Sequence, residues 1–95
     1  MRVRWTQPAL RDLEEIGDFI VRDNAVAAAK TVATILDQAE ALATHPHLGR
    51  AGRIAGKREL VVTHTPFVVP YRVVGDDVQI LSVFQGARRW PESFA

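Results

Sequence analysis

The chain contains no cysteine, which excludes a disulfide scaffold and thiolate chemistry and fits a reducing compartment. No run of apolar residues approaches the roughly 20 needed to cross a bilayer. Met1-Arg2-Val3-Arg4-Trp5 alternates like a strand where a secretory leader would carry an apolar core. A cytoplasmic protein is expected. A Gly-rich phosphate loop, a His-Glu-x-x-His pair and a nucleophile elbow are all missing, so the common signatures of phosphate, zinc and serine chemistry are excluded. His45-Pro46-His47 starts no metal site, because no carboxylate or third histidine stands at a matching spacing. Neither metal nor cofactor is expected. Repeats, linkers and low-complexity tracts are absent as well, so residues 1–95 read as one domain.

Net charge is also nearly absent, at +1, too little for strong binding to a phosphate backbone by the chain as a whole. The charges are unevenly spread along the chain. Residues 1–49 carry a balance of −2 and residues 50–95 a balance of +3. Hydrophobic residues make up 47% and charged residues 24%, ordinary for a folded domain.

What is present is organised around Arg58 to Trp90, which reads as three short strands in series. Phe67 to Val74 and Val78 to Phe84 are dense in β-branched and aromatic residues. Gly75-Asp76-Asp77 between them predicts a hairpin of about three loop residues, since Gly and Asp tolerate positive φ. Pro70 inside a strand predicts an edge position or a bulge. Upstream, Arg2-Val3-Arg4-Trp5 predicts a short strand with Val3 and Trp5 opposite the arginines.

Thr6 stands where an N-cap belongs and Pro8 in the first turn of a helix expected over about Gln7 to Arg22. Leu10, Leu13, Ile16, Gly17 and Ile20 form its apolar stripe, with Arg11, Asp12, Glu14, Glu15 and Asp18 mostly opposite. Asp23-Asn24 breaks this helix and caps a second, expected from Ala25 to about Ala43, with Val32, Ile35, Leu36, Ala39 and Leu42 on one face. Five alanines between Ala25 and Ala33 favour close approach of the two helices in an antiparallel α-hairpin. His45-Pro46 ends it, and His47 to Lys57 reads as a Gly-rich basic loop with a brief strand around Arg53-Ile54. The predicted fold is α+β: a short N-terminal strand, then an α-helical hairpin packed on a curved antiparallel sheet of three to four strands.

Ala9-Leu10-Arg11-Asp12-Leu13-Glu14-Glu15-Ile16, Val69-Pro70-Tyr71-Arg72-Val73 and Ile80-Leu81-Ser82-Val83-Phe84-Gln85-Gly86-Ala87-Arg88-Arg89-Trp90-Pro91 together resemble the ParE/RelE superfamily. These are toxins of bacterial type II toxin–antitoxin pairs, also known as plasmid stabilisation proteins. The resemblance covers nearly the whole chain and implies the same fold. It also implies one of two activities. ParE-like members poison DNA gyrase; RelE-like members cleave mRNA on the ribosome.

Anchored on Tyr71 and Gly86, the nuclease pattern places a strand arginine on Val68, two lysines near Glu59 and Val61, a C-terminal arginine on Arg88 and a tyrosine near Phe94. Gln85 or Phe84 stands where some relatives use histidine. Losing one preorganised group of such a site costs about two orders of magnitude in rate. The chain is therefore closer to ParE, and a gyrase-binding inhibitor is expected rather than an enzyme. The alternatives are a metal-independent mRNA endonuclease using Arg58, Arg72 and Arg88, with ribosome and mRNA as partners, or an inactive relative. Arg88, Arg89 and Trp90 are the residues expected at the target. The resemblance further implies a cognate antitoxin, in a hetero-oligomer, meeting Leu10, Leu13, Ile20, Val32, Leu36, Arg50, Arg53 and Arg58.

Overall fold

The computed structural model describes residues 1–86. Its elements are β1 (Arg2–Trp5), α1 (Gln7–Val21), α2 (Ala25–Glu40) with a 3-10 turn at Ala41–Ala43, β2 (Arg50–Ala51), β3 (Arg58–Val61), β4 (Phe67–Val74), β5 (Asp77–Ile80) and β6 (Phe84–Gln85). The strands form one sheet in the order β1-β5-β4-β3-β2, with β6 also paired to β4.

Both helix starts are set by side chains. Thr6 Oγ1 accepts from the Ala9 amide at 3.4 Å and donates to the Ile80 carbonyl at 2.7 Å, so one hydroxyl caps α1 and ties it to the end of β5. Asn24 Oδ1 accepts from the Ala27 amide at 3.0 Å and starts α2. The hairpin packs along one face of the sheet. Ala9 and Leu13 of α1, Ile35 and Ala39 of α2 and Leu42 meet Leu60, Val62, Phe67, Val69, Tyr71, Val78, Ile80 and Val83 there. Burying each large aliphatic member contributes on the order of 1.5–3 kcal/mol. Val3 and Trp5 pack on the same core, while Arg2 and Arg4 point the other way, as the alternation predicts.

The fold class is the expected one, but the sheet is larger than three to four strands and is not wholly antiparallel. β1 runs parallel to β5, with Arg2 opposite Asp77 and Trp5 opposite Ile80. That pairing spans nearly the whole chain and leaves no local trace in sequence. β2 and β6 are two residues each, too short to show an alternation. The extra strand lies at Arg50–Ala51 rather than Arg53-Ile54, which occupy a bend. The strand expected from Val78 to Phe84 breaks after Ile80, where Leu81-Ser82-Val83 leaves the ladder before β6 returns to β4. The β4–β5 loop is two residues, Gly75 and Asp76, with Gly75 at φ +58°.

That break also explains Pro70, which sits in an interior strand and not at an edge. Its carbonyl accepts from the Leu81 amide at 2.9 Å. An antiparallel residue directs its N–H and C=O to the same neighbour. The missing N–H of Pro70 therefore falls where β5 has ended and β6 has not begun, and no ladder bond is lost.

Candidate functional site

Tyr71, the single tyrosine, is fully buried and locks the loop before β2. Its hydroxyl donates to the Pro46 carbonyl at 2.8 Å and accepts from the Gly49 amide at 2.9 Å. Arg58, paired with Tyr71 across β3 and β4, closes the same loop by donating to the Gly49 carbonyl at 2.7 Å. Burial pushes the Tyr71 phenol above its ordinary value, against smaller opposing effects of the Gly49 hydrogen bond and the Arg58 charge. Tyr71 is thus a structural latch, with both hydroxyl roles taken.

Residues in direct register share a face and successive residues alternate, so Arg58 lies on the Tyr71 side of the sheet and Arg72 on the other. Arg72 is exposed, and its Nε donates to Gln79 Oε1 at 2.8 Å. The two arginines of the nuclease alternative do not converge. Its third, Arg88, lies outside the described residues, as do Arg89, Trp90 and Phe94.

The positions onto which the nuclease pattern maps within β3 and β4 do come together. Val61 pairs with Val68, which pairs with Phe84, and Glu59 pairs with Pro70 beside them. This outer patch is apolar and acidic where cleavage would require cations. Glu59 is only 3% exposed, and its Oε1 accepts from Arg50 Nε at 2.9 Å and pairs with Nη2 at 2.7 Å. Oε2 is buried without a hydrogen-bond partner among the described residues.

The residues expected to meet a partner divide into groups. Leu13 belongs to the core at 8% exposure, Val32 packs against the core, and Ile20 is half-buried. Leu10 and Leu36 remain open at 39% and 40%, and Phe19 and Val26 near the hairpin tip are more exposed still. Arg50 is committed to Glu59 and Arg58 to the loop carbonyls, while Arg53 is exposed.

A cleft of about 450 Å³ opens beside α1, between Ile16, Phe19, Ile20, Phe67 and Phe84. Asp12 stands at its wall, where Oδ2 accepts from Ser82 Oγ at 2.7 Å and from the Val83 amide at 3.0 Å. The helical wheel places Asp12 with the solvent-facing charges, and its partners some 70 residues downstream could not be read from sequence.

Sequence reasoning also missed Arg2 and Arg4. They belong to the half of the chain with a negative balance, yet parallel pairing sets them beside Asp77 and Gln79 on the same outer face as Arg72. The R-V-R-W alternation signals one shared face but not which strand lies next to it. Among the described residues no group of three metal-ligating side chains occurs, and no helix is long and apolar enough to cross a membrane.

Residues 3–90 match the model of the ParE toxin of the type II toxin–antitoxin system parDE. The chain is 47% identical over 91 residues to Y4kP of Sinorhizobium fredii, a candidate toxin by its name, covering 96% of this chain and 94% of that one. It is 37% identical over 87 residues to Toxin RelE2 of Caulobacter vibrioides, covering 92% and 97%. Among solved structures, the chromosomal ParDE toxin–antitoxin system of P. aeruginosa superposes with TM-score 0.80 at 33% identity, over 90% of this chain and 95% of that one. The toxin–antitoxin complex RelBE2 of Mycobacterium tuberculosis gives 0.65 at 22% identity over 88% and 95%, a likeness of fold. With a family match over nearly its whole length and a solved relative sharing its fold at 33% identity, this chain belongs to the ParE family of type II toxin–antitoxin toxins.

Proposed function

We propose that this toxin arrests growth by binding DNA gyrase in the bacterial cytoplasm, and that a cognate antitoxin neutralises it. The observation that carries this reading is the outer patch of Glu59, Val61, Val68 and Phe84. Metal-free cleavage of RNA needs several cationic and proton-transferring groups aimed at one phosphate. The patch offers valines, a phenylalanine and a buried carboxylate, and Arg58 and Arg72 sit on opposite faces. Tyr71 is occupied by Pro46 and Gly49.

The antitoxin is expected to lie across the exposed apolar side of the α-hairpin, where Leu10 and Leu36 provide contact and Ile20 and Val32 its partly buried floor. Arg53, in the β2–β3 loop, is proposed to meet an acidic segment of the antitoxin. Arg88, Arg89 and Trp90 are proposed to contact the target. The antitoxin reading draws support from the two similar structures, both of them toxin–antitoxin systems. A role in plasmid stabilisation is consistent with such a pair.

Pulse-labelling of DNA and protein synthesis just after induction of this chain tests the target. DNA synthesis is expected to fall first, with a DNA-damage response. If protein synthesis falls first and mRNA is fragmented, the gyrase reading is wrong.

A further inference from the structure

Arg4, Gln79 and Arg72 stand in one cross-strand row over β1, β5 and β4, on the sheet face away from the helices. At about 4.8 Å between neighbouring strands the row spans about 10 Å. Arg2 adjoins it from the next row, opposite Asp77. Arg72 is held on its stem side by a hydrogen bond, and Arg2 and Arg4 make ion-pair contacts there. Arg4 Nε lies 3.1 Å from Asp77 Oδ2, Arg2 Nε lies 3.3 Å from Asp77 Oδ1, and Arg72 Nε donates to Gln79 Oε1 at 2.8 Å. Among the described residues no hydrogen bond engages the terminal amino groups of the three. The Arg2 and Arg4 side chains are 73% and 57% exposed, so these forks are open to solvent. Arg2 and Arg4 share the one carboxylate of Asp77 while Arg72 bonds to the neutral Gln79, and cations stay in excess even with Asp76 of the adjoining turn counted.

We propose that this row binds the phosphate backbone of double-stranded DNA without reading its sequence. A planar guanidinium held at Nε loses little freedom when its outer amino groups grip a phosphate, which suits arginine better than lysine for this task. Among the described residues the row carries no aromatic side chain on which unpaired bases would stack, which disfavours a single strand. Val74 is, among the described residues, its one exposed large apolar neighbour, which offers no buried anchor of the kind a peptide would seek. Local charge makes the interaction possible despite the chain's overall balance of +1, and that balance keeps it weak. The inference stands apart from the gyrase reading, because the test contains no gyrase.

The test is fluorescence anisotropy of a labelled duplex of about 20 base pairs, with the full chain, from roughly 25 to 200 mM salt. Wild type should bind with a log–log salt slope of about −2 to −3, for about three neutralised phosphates. Arg4→Gln/Arg72→Gln should flatten the slope by about 2 and weaken binding by about a hundredfold or more at the lowest salt. Arg4→Lys/Arg72→Lys should keep the slope, because charge is retained. Arg11→Gln, a cation removed from α1, should bind as wild type. The proposal fails if wild type shows no salt-dependent binding, if the lysine variant loses as much as the glutamine variant, or if Arg11→Gln loses as much. It also fails if unlabelled single-stranded RNA or polyglutamate displaces the duplex better than unlabelled duplex does.

Discussion

Gly49 and Tyr71 are in contact so close that no side chain fits between them. A Cβ on Gly49 would lie 2.6 Å from Tyr71 Cε1, 2.7 Å from its hydroxyl oxygen and 2.8 Å from the Glu59 carbonyl oxygen. The ring is fully buried and the carbonyl belongs to β3, so neither yields easily. The loop from Pro46 to Gly49 is thereby docked on the sheet through the Tyr71 phenol, with Arg58 as a second tie at the Gly49 carbonyl.

Gly49→Ala should accordingly destabilise the fold by about 2–3 kcal/mol, since overpacking at a rigid site forces the loop away from the ring. For a domain of this size that is a fall in melting temperature of about 8–24 °C. Thermal denaturation followed by circular dichroism checks it; a shift under a few degrees would show that the loop gives way freely.

Tyr71→Phe removes the donor to Pro46 and the acceptor for Gly49 while leaving the ring in place. The expected cost is about 1–3 kcal/mol, from buried loop groups left unpaired. A pH signature accompanies it. The folded phenol titrates above the ordinary 10.0, so the folded state holds its proton where the unfolded chain has lost it. This contribution is complete below about pH 10 and is lost as pH rises through the folded value. Urea denaturation between pH 8 and 11 should show a steeper alkaline decline for wild type than for Tyr71→Phe. Parallel declines would count against the buried phenol as their cause.

Asp12 fixes the segment where β5 leaves the ladder. Asp12→Ala strands the Ser82 hydroxyl and the Val83 amide, both in buried residues, and should cost about 1–3 kcal/mol. Asp12→Asn keeps an acceptor oxygen and should cost less. Native-state hydrogen exchange at the Val83 amide reads the effect directly: exchange should accelerate in the alanine variant beyond the global loss of stability. Unchanged protection would mean that the amide has another shield.

Arg50 and Glu59 form an unequal pair, the guanidinium 62% exposed and the carboxylate 3%. Arg50→Ala leaves a buried carboxylate without its cation. Discounted for the solvent around Arg50, the cost should be about 1–2 kcal/mol. Adding Glu59→Gln to that variant should restore part of the loss, because a neutral amide is less costly to bury. A urea double-mutant cycle at pH 7 measures the coupling, and additivity would show that the pair contributes nothing as a pair.

Local features were legible in the chain because they depend on near neighbours. The Thr6 and Asn24 caps, the two helices, the hairpin at Gly75 and the core-facing side of β1 all follow from spacing and residue type. So did the likeness to the toxin superfamily, carried by motifs in a fixed order. What the sequence alone could not decide was pairing at a distance. The parallel contact of β1 with β5 is one example, and it turns Arg2 and Arg4 from members of a weakly acidic half into part of a basic face. The anchoring of Asp12 on Ser82 and Val83 is another, as is the use of Tyr71 as a latch on Gly49. Periodicity tells which side of a strand a residue takes. Only the assembled sheet sets which residues share that side, and hence whether two arginines meet at one ligand or stand back to back, as Arg58 and Arg72 do.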